Sequence, residues 1–104
     1  MAAHLVYVTA SSDEEAEMIA RTLLGERLAA CANLLGAIRS IYWWEGTLQE
    51  DGEVALILKT RGELVDRVVA RVKEIHSYDC PCVIALPVSA GNPEFLNWIE
   101  SETE

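Results

Sequence analysis

Cys80 and Cys82 are the residues whose type and spacing most readily support chemistry in this sequence. They flank Pro81 and follow shortly after His76. In an extended segment, alternate side chains point to the same side, so both sulfurs would face one ligand. Thiolates combined with imidazole suit zinc or copper(I). We therefore predict His76, Cys80 and Cys82 as metal ligands, while the alternative that the cysteines are small apolar core residues stays open.

A catalytic arrangement is harder to find. Nucleophilic catalysis needs a thiol or hydroxyl beside a base that a third group orients. Cys82 with His76 is the available pair, and no orienting group accompanies it. The glycines are dispersed singly and form no phosphate-binding motif. The sequence therefore predicts a protein that is not an enzyme.

The charge balance narrows the possible partners. Eight Lys and Arg residues against 17 Asp and Glu residues give a net charge of −9. Nucleic-acid binding requires a basic face, so that function is not expected. No apolar run reaches the ~20 residues of a membrane span, and the first residues lack the basic start of a signal peptide. Three cysteines, an odd number, favour reduced thiols, so we expect a cytoplasmic protein.

Hydrophobic periodicity predicts the element order β-α-β-β-α-β followed by a short helix. One domain, residues 1–104, accommodates all of these elements. The strands are predicted over 5–9, 30–44, 53–60 and 82–87. The helices are predicted from Ser12 to near Gly25 or Leu28, over 63–77 and over 94–103.

Local signals set the turns and the helix starts. Glu45-Gly46 predicts a hairpin turn, and Asp51-Gly52 predicts a bulge on the returning strand. Ser12 and Glu15 form a capping box, in which the Glu15 carboxylate is expected to reach back to Ser12. Prolines bracket the last strand and predict an edge position.

These elements predict an α+β sandwich of the ferredoxin-like type. Right-handed crossovers put both long helices on one face of an antiparallel sheet whose first and third strands are central. The second strand is much longer than the first, so the hairpin must overhang the sheet. Its aromatic residues Tyr42, Trp43 and Trp44 would be exposed on a monomer. Either the hairpin curls back over its own core, or another subunit covers it.

Several motifs in order resemble the CutA family of divalent-cation tolerance proteins, and they cover nearly the whole chain. The matching segments are 26–33 (ERLAACAN), 40–46 (SIYWWEG), 58–61 (LKTR), 76–78 (HSY) and 84–88 (IALPV). The resemblance implies a ferredoxin-like protomer that trimerises through its long hairpin and sheet edges. It also implies a role in tolerance of divalent cations, copper above all, without an established catalytic reaction.

The chain departs from the family pattern at two places. Family members usually carry His-Pro-Tyr-Glu-x-Pro-Glu, whereas this chain has Asp79 in place of one carboxylate and Cys82 in place of another. That change favours softer ions. Some members are proposed to bind copper through a cysteine closing the first strand and a His-His pair. Val8 and Ile75 occupy two of those positions here, and His76 alone matches.

The resemblance leads to a homotrimer involved in metal-ion homeostasis, with its site in clefts between subunits. Such a trimer needs no cofactor to fold, although copper or zinc could bind to it. The competing hypothesis is a nucleotide- or metabolite-sensing trimer similar to the PII signalling proteins, which the shortage of basic residues argues against. The residues expected to line the cleft are Cys31, Tyr42, Trp44, Lys59, Asp79, Cys82 and Trp98.

Overall fold

The computed structural model describes residues 2–104 and leaves Met1 outside the described range. Its elements follow the predicted order. The strands are β1 (Ala3–Ala10), β2 (Cys31–Trp44), β3 (Thr47–Arg61) and β4 (Val83–Pro87). The helices are α1 (Asp13–Gly25), α2 (Val65–Ile75) and α3 (Pro93–Glu102), with a 3₁₀ turn at Gly62–Leu64 before α2.

The four strands form one antiparallel sheet in the order β2-β3-β1-β4. β1 and β3 are central and β4 lies at an edge, which confirms the predicted ferredoxin-like arrangement. The edge position suits β4 because Pro87 has no N–H to donate to a further strand.

Alternation along β3 separates the two faces of the sheet. Leu56, Leu58 and Thr60 are fully buried, and on this face the sheet packs against α1 and α2. The helices supply the matching apolar side chains, among them Ile19 and Val68. The intervening residues of β3 point to the opposite face, where α3 packs. Part of that second face stays uncovered within the protomer.

The hairpin between β2 and β3 turns through Glu45-Gly46, as predicted. Both residues have positive φ angles, 50° and 77°, which is the signature of a two-residue type I′ turn. β1 pairs with β3 only over 54–61, so residues 47–53 and the strand opposite them overhang the sheet. The overhang prediction is therefore confirmed.

The predicted bulge at Asp51-Gly52 is wrong. Pairing runs without interruption from Trp44↔Thr47 to Ala37↔Val54, and the register shifts instead between Leu34 and Gly36. Gly36 has a φ of 93°, which a glycine adopts without steric cost, so the additional residue is accommodated on β2.

The second long helix is shorter than predicted. α2 proper begins at Val65, after the 3₁₀ turn, and ends at Ile75, because His76 has extended backbone angles. The imidazole of His76 bonds back to the carbonyl of Thr9 on β1. This contact holds the chain beside the end of β1 at the point where the helix stops. Over residues 2–104, no helix has both the length and the hydrophobicity to cross a membrane.

Candidate functional site

A cleft of about 570 Å³ lies where the overhanging hairpin leaves the sheet. One wall comes from the hairpin, another from the end of β1, and the third from the segment between α2 and β4. The cleft is lined by Thr9, Ser11, Tyr42, Trp44, Asp51, Gly52, Glu53, Tyr78, Asp79, Cys80 and Cys82. The lining therefore combines aromatic rings, carboxylates and thiols, and it includes no Lys or Arg.

Two tyrosine hydroxyls in the cleft are close to carboxylates. Tyr42 Oη–H donates to Asp51, and this hydrogen bond raises the pKa of Tyr42, with burial and the nearby negative charges adding to the effect. Burial, together with a hydrogen bond to Glu53, raises the pKa of Tyr78 to about 12. Both phenols therefore stay protonated at neutral pH. The cleft presents negative charge without any compensating cation from its own lining.

Cys80 and Cys82 both line this cleft. Cys80 is exposed and Cys82 is partly buried, and both are free. Burial raises the pKa of Cys82, Glu53 adds to the rise, and a hydrogen bond with Thr9 opposes it. Cys82 is thus protonated at neutral pH, so a metal ion must displace its proton to bind. The alternative of small apolar core residues fails for the exposed Cys80.

His76 is not available as a third ligand in the protomer. Its side chain is completely buried, Nε2–H donates to the Thr9 carbonyl at 2.7 Å, and Nδ1 accepts from the Tyr78 N–H at 3.0 Å. These bonds leave no free lone pair on the ring. Among residues 2–104, no group of three or more His, Cys, Asp or Glu side chains could hold a metal ion. The predicted set of His76, Cys80 and Cys82 does not assemble within one protomer.

Glu15 fixes the segment that carries the cleft residues. Its carboxylate accepts from Ser77 N at 2.7 Å and Ser77 Oγ at 3.0 Å, joining the start of α1 to the chain after α2. It also accepts from Ser11 N at 2.9 Å and Ser11 Oγ at 2.7 Å. Ser12 Oγ does accept from Glu15 N, but the expected return bond to Ser12 is wrong, since the carboxylate turns to Ser11.

The charged form of Glu15 is strongly favoured. Burial works against this charge, but the hydrogen bonds from Ser11 and Ser77 outweigh it and lower the pKa of Glu15 to about 2. The carboxylate is buried, with Oε2 lying 3.6 Å from His76 Nδ1. Glu15 and His76 therefore position the cleft segment from behind.

The remaining predicted cleft residues lie elsewhere in the protomer. Cys31 pairs with Lys59 across β2 and β3, and Lys59 Nζ lies 5.3 Å from the centre of the Phe95 ring. Phe95 in turn stacks near Trp98, with ring centres 5.5 Å apart. This group lies where α3 packs against the sheet. Within one protomer, the predicted cleft is thus divided into a part with Tyr42, Trp44 and Asp79 and a part with Cys31, Lys59 and Trp98.

The sequence-based prediction missed Asp51 and Glu53 as cleft residues. A usable signal was present in the hairpin turn. A two-residue loop at Glu45-Gly46 pairs Tyr42 with Gln49, which puts Asp51 on the diagonal to Tyr42 within side-chain reach. Ser11 and Thr9 could not be found in this way, because their approach depends on tertiary packing.

Comparison with known proteins places the fold and these motifs in a family. A family model described as CutA1 divalent ion tolerance protein matches residues 4–102. A divalent-cation tolerance protein CutA from Archaeoglobus fulgidus is 46% identical over 101 residues, covering 97% of this chain and 98% of that protein. A chloroplastic CutA 1 from rice is 46% identical over 99 residues, which are 95% of this chain but 56% of that protein.

Solved structures agree with the sequence comparison. The crystal structure of rice CutA1 has a TM-score of 0.96 at 43% identity, covering 100% of this chain and 95% of that one. The Archaeoglobus fulgidus structure, described as a periplasmic divalent cation tolerance protein, has a TM-score of 0.95 at 46% identity and covers 98% of this chain and 99% of that one. On this agreement of sequence, fold and coverage, the chain belongs to the CutA1 divalent ion tolerance family.

Proposed function

We propose that this protein contributes to tolerance of divalent metal ions, copper among them, as a homotrimer that binds metal ions or a small ligand in the cleft. One observation carries the proposal. In a chain of this family, the cleft lining includes two thiols and three carboxylates but no Lys or Arg. No three of these groups converge on one point within a protomer, so a metal ion would need a further ligand from a second subunit of the proposed trimer. Such a lining attracts cations and repels anions.

The thiols are the groups that would give the cleft a preference among metal ions. Carboxylates such as Asp51 and Asp79 are hard ligands, which bind hydrated divalent ions weakly when exposed. Cys80 and Cys82 are soft ligands that favour copper(I) and zinc. Binding through Cys82 releases a proton, so affinity is expected to fall as pH falls.

A copper(I) competition titration tests the cleft thiols directly. The double variant Cys80→Ser, Cys82→Ser should lose about tenfold or more in affinity, since serine hydroxyls are poor ligands for soft ions. Cys31→Ser is the matched control, because Cys31 lies outside the cleft and should leave affinity unchanged. Equal affinity in the wild type and the double variant would remove these thiols from the proposal.

Trimer formation is supported by apolar surface that one protomer leaves exposed. Trp43 is 73% exposed, and Ile84 and Leu86 on the edge strand are each 54% exposed. The other large exposed hydrophobic residues of the hairpin and of its base on β2 are Leu34, Leu35, Ile41, Tyr42, Trp44 and Leu48. A soluble monomer rarely exposes so large an apolar surface, and a closed ring would cover it.

Light scattering at micromolar concentration should give the mass of three chains. Trp44→Ala should weaken the assembly more than Glu102→Ala, because the Trp44 ring is expected to be desolvated on assembly and Glu102 is not. A monomeric mass for the wild type would refute the trimer. Equal effects of the two substitutions would remove the hairpin from the interface.

The alternatives have less support. A PII-like nucleotide sensor needs cations for phosphate groups, and the cleft lining has none. An enzyme using Cys82 with His76 needs a free imidazole nitrogen, and both nitrogens of His76 are occupied.

We further propose a cytoplasmic location, where the thiols stay reduced. Cell fractionation tests it, and recovery in a periplasmic or organelle fraction would contradict it.

A further inference from the structure

The side chain of Arg61 lines a second cavity at the other end of the sheet. Arg61 ends β3 and pairs with Ala3, whereas the cleft begins beside Thr9, about 20 Å farther along β1 at ~3.3 Å per residue. The cavity has a volume of about 370 Å³. Its lining consists of Ala2, Ala3, Arg61, Val88, Ser89, Ala90, Leu96, Asn97, Ile99 and Glu100.

Three separate segments of the chain build this cavity. Gly62 N donates to the Ala2 carbonyl and Val88 N to the Ala3 carbonyl, each at 2.9 Å, so the start of β1 is tied to both the end of β3 and the end of β4. Leu96 of α3 packs against Gly91 in the loop after β4. Backbone hydrogen bonds and side-chain packing therefore hold the walls of the cavity in place.

Arg61 is exceptional among the arginines. Its Nε is buried and has no hydrogen-bond partner within residues 2–104. Its guanidinium is also in none of the ion pairs found among these residues. The others each contact a carboxylate at 2.6–3.1 Å, namely Arg21, Arg27, Arg39, Arg67 and Arg71. In a chain with 17 Asp and Glu residues, this exception is unexpected. Because protein atoms enclose Nε, a ligand in the cavity can reach this guanidinium only through its terminal nitrogens.

The chemistry of the cavity indicates what that ligand is. The planar fork of a guanidinium matches a carboxylate, and the Ser89 hydroxyl and Asn97 amide offer further donors. Val88, Leu96 and Ile99 supply an apolar wall. We propose that this cavity binds a small aliphatic monocarboxylate, with its charged end at Arg61 and its chain against the apolar wall.

Size and charge restrict the ligand further. The volume lies near the lower end of the ~300–1,000 Å³ usual for small-molecule sites, which favours a short chain. Glu100 also lines the cavity and would repel an anion with more than one negative charge, such as inorganic phosphate. This inference is independent of the proposed metal-binding function, because the two sites share no lining residue.

The test is an NMR titration of the whole, ¹⁵N-labelled protein that follows the Nε–Hε resonance of Arg61, identified by its loss in Arg61→Gln. Sodium butyrate should shift this resonance to saturation. At equal ionic strength, n-butylammonium chloride should leave it in place, and sodium phosphate should act more weakly than butyrate. Absence of a saturable shift with butyrate, or an equal response to n-butylammonium, would overturn the proposal.

Variants test the assignment of each group, with affinity read from backbone amides that line the cavity. Arg61→Gln should weaken butyrate binding about tenfold or more, and Glu100→Gln should strengthen it about threefold, because a charge-assisted bond is lost in the first and a repulsion in the second. Arg21→Gln, which breaks an exposed pair, should bind as the wild type does. Unchanged affinity in Arg61→Gln would contradict the proposal. A second pair of results would also contradict it, namely that the wild type does not bind butyrate and that Arg61→Gln dissociates the oligomer. The partner of Arg61 would then be a second copy of this chain.

Discussion

Replacing Glu15 by glutamine tests whether one buried carboxylate holds the cleft segment in place. The carboxylate accepts hydrogen bonds from the N–H and hydroxyl groups of both Ser11 and Ser77. Glutamine has nearly the same shape but supplies one acceptor oxygen and one NH₂ group. The NH₂ group would face a donor of Ser11 or Ser77, so at least one N–H or hydroxyl group would lose its partner. We expect Glu15→Gln to lower the free energy of unfolding at neutral pH.

The size of the effect follows from the pKa of Glu15. Folding lowers this pKa from its ordinary 4.5 to about 2, and at ~1.4 kcal/mol per unit the charged form contributes about 3 kcal/mol to stability. Because the folded-state pKa is the lower one, this contribution is complete above about pH 5. It is lost progressively as pH falls toward 2, where the folded protein also takes up the proton. The difference between wild type and variant should shrink over the same range.

Urea unfolding at one protein concentration, repeated between pH 7 and pH 2, measures this difference. Glu14→Gln is the matched control, since Glu14 lies in the same first turn of α1 but is exposed. It loses only an interaction with the helix dipole, which is worth less than about 1 kcal/mol. If Glu15→Gln and Glu14→Gln had equal effects, or if the loss in Glu15→Gln did not vary between pH 5 and pH 2, the hydrogen-bonded charge would not be the cause.

One further substitution and one treatment with chelator and reductant test the stability of the core. Thr60→Val should lower the free energy of unfolding by about 1–3 kcal/mol, because the buried Thr60 hydroxyl donates to the Leu28 carbonyl at 2.7 Å, while the same change at exposed Thr47 should have little effect. Urea titration of both variants checks this, and equal losses would contradict it. Chelator and reductant together should leave the thermal midpoint nearly unchanged, since the core is apolar and the cysteines are free; a fall of many degrees would make a metal structural.

The sequence predicted the fold well where local chemistry determines it. The Glu45-Gly46 turn fixed the hairpin register, and the β-α-β-β-α-β order with right-handed crossovers placed β1 and β3 at the centre of the sheet. The bulge was misplaced because Asp51-Gly52 carries a turn signal of its own, but continuous pairing with β2 outweighs that local preference. Gly36, at positive φ, accommodates the irregularity instead.

The site was predicted less well, because its geometry depends on contacts between residues far apart in the chain. Nothing near Glu15 in the sequence indicates that Ser77 donates to it. Residue type alone made His76 a metal ligand, and only the tertiary structure shows its ring closed off by Thr9 and Tyr78. Cys82 was expected in the cleft and lines it, and Cys80, which was expected only as a metal ligand, lines it as well. Their role as metal ligands stays a prediction.

His76 therefore supports the cleft from behind and does not line it. Just after the end of α2, its ring donates to the Thr9 carbonyl on β1 and accepts a hydrogen bond from the N–H of Tyr78, the first cleft residue of the segment. Glu15 holds the intervening Ser77 from the other side. Two buried polar side chains thus fix the backbone from which Tyr78, both thiols and a carboxylate project. The backbone at Ser77 and Tyr78 is thus ordered before any ligand arrives, so ordering it would add little to the entropic cost of binding in the cleft.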